Sequence, residues 1–395
     1  MPKKNLFIIL LGFFISSCTL DSVYENIVIE EAEAVAVKLP ENNFDNSLKA
    51  EELEIYKWIS HVQLNNGLLT STEGSNFVSL YDNSLAALTF ISVGEYKKAE
   101  QIFDYFQGQI DTEFITNGGG FFQFRDSDGN NGSSIWLGDN AWLLIALNNY
   151  HQKTGNNKYS QLSELLEDWI RGLQDNDGGL WGGFREDGTQ IHKITEGIIT
   201  AFNAVDGYDD FHKGILTYLK QERWDSNDKL LIAWPENKTH YYALDLHSLG
   251  YLIFENFPKE VLIKAERYKN TQVASFNGKE ISGYCFDEDK DVIWLEGTAQ
   301  MAIAFNEANM VNEANAALQQ LHKAQMTGSD PENLLGIPYA TNAGTGYGSS
   351  LLWEHASQTP AISSSIWYLF NMLHFNPLDA GRLKNIPNED KFWNL

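Results

Sequence analysis

From about residue 46 the chain alternates two kinds of helical segment, and nothing else in it constrains the fold as strongly. One kind is amphipathic. Leu162, Leu165, Leu166, Trp169, Ile170 and Leu173 recur at helical spacing with charges between them, as do Ala99, Ile102, Phe103 and Phe106. The other kind is apolar or small nearly all round: SLAALTFI at 84–91, NAWLLIAL at 140–147, GIITAFNAV at 197–205, GTAQMAIAF at 297–305 and TPAISSSIWYLF at 359–370. A helix with one wet face lies outside, and a helix without a charged stripe is buried on every side.

Written as outer then inner, the segments make six pairs: 46–63 with 79–92, 96–108 with 137–152, 160–173 with 195–208, 211–224 with 242–256, 259–272 with 294–310, and 311–325 with 360–375. Inner-to-outer connections are short. Outer-to-inner connections are long and rich in Gly and aromatics, as in NGGGFFQF at 117–124, DNDGGLWGGF at 175–184 and GIPYATNAGTGYGSSLLW at 336–353. Hairpins repeated in this way put every long loop on one face. The expected fold is therefore all-α, a closed double ring of six helical hairpins with one decorated mouth, with an open α-solenoid of the same hairpins as the alternative. No Pro- or Ser-rich linker interrupts the repeat, so a single domain is expected over 46–378, followed by a C-terminal tail at 379–395.

This pattern resembles the six-hairpin (α/α)6 toroid glycosidase superfamily of bacteria. The resemblance spans 46–378 and rests on architecture more than on one diagnostic motif. It implies hydrolysis of an oligo- or polysaccharide by a carboxylic acid/base pair, commonly with inversion, and no cofactor.

The acids fall where that chemistry needs them. Tyr81-Asp82-Asn83, Gly138-Asp139-Asn140, Thr195-Glu196-Gly197, Leu244-Asp245-Leu246, Leu295-Glu296-Gly297 and Glu354-His355 stand at or just before the inner-helix starts. Crowded carboxyls hold unequal pKa values, which gives a protonated acid beside an ionised base. Glu196, Glu296 and Asp139 are the candidate catalytic set, with Asp82, Asp245 and His355 as substrate-binding candidates. The competing reading is helix capping, since Asp and Glu are favoured in any first turn. Trp136, Trp142, Trp181, Trp294, Tyr339 and Trp353 are candidate platforms for sugar C–H faces. Loop aromatics that merely anchor the loops are the alternative.

The chain carries 53 Asp+Glu against 28 Lys+Arg, a net charge of −25, which excludes general nucleic-acid binding. No HExxH, paired CxxC, GxSxG or phosphate-binding Gly loop appears, so no metal or nucleotide chemistry is indicated. Asp126-Ser-Asp128-Gly-Asn130 resembles half a calcium loop, but the Gly and the closing Glu are misplaced. Oligomeric state is not legible.

The first residues read as an address. Lys3 and Lys4 precede an apolar stretch from Leu6 to Ile15 that is too short to span a bilayer. Ile15-Ser16-Ser17-Cys18 then resembles the lipobox of bacterial lipoproteins. That resemblance implies a signal peptide at 1–17, lipidation of Cys18, a tether at 18–45, and a cell-envelope location at the outer membrane or cell surface. Cys285 is left as a single thiol.

Two other functions fit the same fold. A polysaccharide lyase would need cations to neutralise uronates. The five mouth loops (109–136, 174–194, 225–241, 273–293 and 326–359) hold 19 Asp+Glu against 7 Lys+Arg, although Arg125, Arg185 and His192 could cluster. A non-catalytic glycan-binding lipoprotein would keep the aromatic groove without an acid/base pair.

Overall fold

The structure is a computed structural model that describes residues 48–394, apart from 237–239, 330–333, 345, 348–349 and 352–357. The leader, Cys18 and the tether lie outside the described residues, as do Trp353 and His355. Among the described residues no helix is long and apolar enough to cross a membrane.

The inner helices are α2 (Leu80–Ser92), α4 (Leu137–Thr154), α6 (Thr195–Ala204), α8 (Asp245–Ile253), α10 (Leu295–Glu307) and α12 (Ile362–Met372). The outer helices are α1 (Ala50–His61), α3 (Tyr96–Gly108), α5 (Ser160–Gly172), α7 (Asp210–Tyr218), α9 (Glu260–Lys264) and α11 (Val311–Lys323). Every residue of α10 from Leu295 to Phe305 is buried, whereas α5 buries only Leu162, Leu166, Trp169 and Ile170. The two kinds of segment have become two concentric layers, because only helices without a charged stripe can be enclosed on every side without stranding many charges. Each inner helix packs on the next, and α12 packs on α2, which closes the ring. The fold is an all-α (α/α)6 toroid.

The hairpins run inner to outer. Helices α2 and α3, α4 and α5, α6 and α7, α8 and α9, and α10 and α11 pack as pairs, and α1 packs on α12. The pairing of each outer helix with the inner helix after it is thus corrected, save that α9 also packs on α10: a short connection forces its two helices together, and a long loop need not. The expected helix over 259–272 is corrected as well. After α9 the chain makes a 3₁₀ turn, Ala265–Tyr268, and a strand, Lys269–Val273, paired antiparallel with Glu280–Tyr284 from Lys269↔Tyr284 to Val273↔Glu280. Lys269, Thr271 and Val273 are exposed while Asn270 and Gln272 are half-buried, a period of two that suits a strand and not a helix.

Backbone hydrogen bonds knit the mouth loops into a second ring. Leu80 N donates to Gln123 O (2.9 Å), Leu137 N to Gly182 O (3.0 Å), Leu244 N to Phe286 O (2.9 Å) and Leu295 N to Tyr339 O (2.9 Å). In each case the start of one inner helix is tied to the loop preceding the next. Ile362 N to Ser71 O (2.9 Å) completes the circuit, and at α6 the Thr195 hydroxyl replaces the amide, donating to Ile232 O at 2.6 Å. The free N–H groups of the helix starts are satisfied by the loops, which leaves the nearby carboxyls for other partners.

At the other end of the ring the tail is a plug. Asn149 Nδ2 donates to Pro377 O (3.1 Å), Asn203 Nδ2 donates to Leu378 O (3.0 Å), and Phe392 and Trp393 are buried against Phe254. Gly381 lies so close that a Cβ there would stand 2.1 Å from Asn203 O.

Candidate active site

The inner-helix starts surround a cavity of about 1010 Å³ at the mouth. Asp82, Asp139, Glu196, Asp245 and Glu296 all line it, one each from α2, α4, α6, α8 and α10. The repeat explains how they converge. In α2 and α4 the residue after the acid is Asn, and each Asn grips a loop: Asn83 Oδ1 accepts from Leu69 N at 2.8 Å, and Asn140 Oδ1 accepts from Phe121 N at 2.8 Å. The preceding Asp is thereby turned inward. Glycine does the same work between α4 and α6, since a Cβ on Gly138 would lie 2.9 Å from Glu196 Oε2.

Capping accounts for one of the five. Asp245 Oδ1 accepts from Leu246 N at 2.8 Å. The others take side-chain donors. Glu196 Oε1 accepts from Thr200 Oγ1 (2.8 Å) and Asp139 Oδ2 from Gln123 Nε2 (3.3 Å). Asp82 Oδ2 accepts from the Tyr339 hydroxyl (3.2 Å) and Glu296 Oε1 from the Tyr81 hydroxyl (2.6 Å).

Burial dominates the electrostatics, because removing a carboxylate from water favours its protonated form. It pushes Asp82 up to about 7, opposed by hydrogen bonds from Ser71 and Tyr339. Asp245 and Glu296 also rise to about 7, with neighbouring carboxylates adding to the effect of burial. Asp139 rises to about 8 through burial and then the charge of Glu196. Glu196 is raised by burial too, but hydrogen bonds from Thr200 and Trp142 oppose the rise. Near neutral pH the ring therefore holds protonated and ionised carboxyls together.

Trp136, Trp142, Trp294 and Tyr339 line the cavity, joined by Phe77, Phe124 and Phe286. Trp142 is deep in the floor, 2% exposed, edge-on to Tyr81 and Trp367. Trp181 is not among the residues lining the cavity. Its loop folds back through a Gln174↔Leu180 bridge, and the Lys193 ammonium, held by Asp175 and Asp177, stands 5.0 Å from the centroid of its ring. Tyr81, Gln300, Thr200 and Trp367 are contributors that the sequence reading passed over. Tyr81 adjoins Asp82, and Gln300 and Thr200 stand one turn after Glu296 and Glu196, a spacing that puts them on the same helix face. Trp367 lies inside an apolar helix and gives no local signal.

No Lys, Arg or His is found among the described residues lining the cavity. Arg125 is instead buried in a two-pronged pair with Glu113 (2.8 and 2.9 Å), and His192 stacks on Trp234 with centroids 5.1 Å apart. The calcium-like run is a turn, in which Asp126 Oδ1 accepts from Asp128 N and Asn130 N.

No family model matches the chain, and no curated protein matches it. Solved structures do. A protein described as a novel α-amylase from Clostridium perfringens aligns with a TM-score of 0.58 over 82% of this chain and 98% of its own, at 13% identity. A GH76 α-mannanase from Bacteroides thetaiotaomicron gives 0.53 over 82% and 96%, also at 13% identity. This is the six-hairpin (α/α)6 toroid fold. A sugar epimerase from a ruminal bacterium has it too, with a TM-score of 0.55 at 10% identity over 82% of this chain and 96% of that one. Identities this low extend the six-hairpin likeness to the fold alone.

Proposed function

We propose that the protein is a glycoside hydrolase that cleaves an oligo- or polysaccharide with inversion, Glu296 donating the proton and Glu196 activating water. The carrying observation is the convergence of five carboxyls, one from each of five inner helices, on one aromatic-lined cavity. Glu196 raises Asp139 and Asp245 by its negative charge, which supports it as an ionised member of the ring, and Asp82 acts likewise on Asp139 and Glu296. Glu196 and Glu296 start the third and fifth inner helices, with α8 between them, which suits a pair that brackets a sugar and a water molecule. A solved structure of this fold is described as a glycosidase in complex with glucose, which supports a sugar ligand here.

Asp139 is the second reading for the donor, favoured by its higher pKa. The lyase alternative loses support because the described lining offers no cation to a uronate. A non-catalytic glycan-binding role remains the competitor from another class. The experiment is a panel of neutral and anionic oligosaccharides read by reducing ends, ultraviolet absorbance and proton NMR of the first-formed anomer. Inverted reducing ends, lost in Glu196→Gln and Glu296→Gln, support the proposal. Unsaturated products would establish a lyase, and binding without turnover would establish a binding protein.

The envelope anchor is proposed from the leader sequence alone, Lys3-Lys4 through Cys18. Incorporation of labelled palmitate that is abolished in Cys18→Ser tests it.

A further inference from the structure

Two tryptophans and a tyrosine stand behind the two glutamates. Trp367, fully buried in α12, donates from Nε1 to the Tyr81 hydroxyl at 2.8 Å. An indole N–H can only donate, so the hydrogen of Tyr81 cannot lie along that contact. It points to Glu296 Oε1 at 2.6 Å, where Gln300 Nε2 also donates at 3.2 Å. An oxygen that already receives two donors does not carry a proton of its own. The Ser363 hydroxyl near the same carboxyl favours its ionised form, as Tyr81 does. The Tyr81 ring meets Trp142 edge-on at 5.5 Å, Trp142 meets Trp367 at 5.8 Å, and Trp142 lies beside the Glu196 carboxyl, whose ionised form it favours.

We infer that Tyr81 is a positioning residue: oriented by Trp367, it confines the proton of Glu296 to Oε2, and with Trp142 it forms one rigid aromatic wedge holding Glu296 and Glu196 as a pair. The inference deepens the proposed function and rests on Glu296 being the proton donor. A donor whose proton has one address needs no rotamer search before transfer, and the fully buried anchor keeps that address fixed while substrate enters. The other charged or titratable groups facing Glu296 are Asp82 on α2, Asp245 on α8 and Tyr339 from the loop before α12, so the experiment must isolate Tyr81 from these.

The full-length chain, with glutamate carboxyls labelled with carbon-13, is titrated by NMR, and the resonance lost in Glu296→Gln identifies the group. Tyr81→Phe removes a donor that stabilises the carboxylate, so the Glu296 midpoint should rise by about one pH unit. Trp367→Phe should move it the same way by less. A Tyr81→Phe midpoint within roughly 0.3 unit of wild type, with thermal unfolding showing an intact fold, overturns the inference. If Tyr81→Phe fails to fold, an unmoved midpoint in Trp367→Phe overturns it instead. On a glycan that is turned over, the alkaline limb of kcat/KM should move up by the same amount with KM little changed. A shifted NMR midpoint with an unmoved limb leaves Tyr81 as the positioner of Glu296 and removes Glu296 as the donor, which separates the two failures.

Discussion

Gly138 and Glu196 approach so closely that a methyl group on the first would stand 2.9 Å from Oε2 of the second. Gly197, the residue after Glu196, meets the same spot from the other helix, its would-be Cβ 3.3 Å from Gly138 N. The starts of α4 and α6 are thus drawn together at the point where their acids face the cavity. Gly138→Ala should displace the Glu196 carboxyl, cutting kcat at least tenfold with little loss of stability, since the group that must shift is the end of a flexible side chain. Steady-state kinetics beside thermal unfolding checks this, and full activity in a folded variant would show that Glu196 Oε2 has no role in the reaction.

The pH–rate profile follows from the roles proposed. Glu296, raised to about 7 chiefly by burial, must be protonated, so kcat/KM should fall as pH rises through about 7. Ionisation of Glu196, itself raised by burial, sets the acid limb. The optimum is therefore expected below neutrality. A profile still rising above pH 8 would exclude Glu296 as the donor.

The same burial destabilises the fold at alkaline pH. Asp139 titrates at about 8 in the folded chain and at roughly 4 when unfolded. Between those values the native state binds more protons, so the stability associated with this group is lost as pH rises from the lower value through the upper. Asp139→Asn abolishes that loss. Its Tm should exceed that of wild type, by a margin that grows from pH 5.5 to 8.5 and vanishes below pH 4. A margin independent of pH would show that Asp139 is not held protonated.

Trp393 tests the plug. Its ring is 4% exposed and packs on Phe254 and Phe257 at 5.0 and 5.4 Å. Trp393→Ala should cost about 3–5 kcal/mol, read by denaturant unfolding, although the residue lies at the end of the ring away from the carboxyls. A loss below about 0.5 kcal/mol would return residues 379–394 to the status of a loose tail.

Cys285 is fully buried, and burial pushes its thiol up to about 12. It should resist a thiolate-seeking reagent in the folded chain at pH 8 and react fully in denaturant. Rapid labelling of the native protein would contradict its burial.

Much of the molecule is legible in the chain because its two signals are local. Whether a helix carries a charged stripe decides inside or outside, and the length of a connection decides which end a loop occupies. Those two readings, applied to segments such as NAWLLIAL and to the long Gly-rich loops, yield the toroid, its mouth and the inner-helix acids from Asp82 to Glu296. The segment at 269–273 holds too few apolar residues for its sequence to separate helix from strand, and its alternating burial appears only through pairing with 280–284. Trp181 shows a related ambiguity: an aromatic in a mouth loop can face sugar or a neighbouring loop, and here its ring meets the Lys193 ammonium. What tertiary structure alone decided is which groups meet across the ring. Tyr81 and Glu296 are 215 residues apart and Tyr81 and Trp367 are 286 apart, contacts that exist because α12 packs on α2. The ionisation of the carboxyls belongs to the same category, since a pKa reports the water removed and the charges gathered around a group, and both are set by closure of the ring.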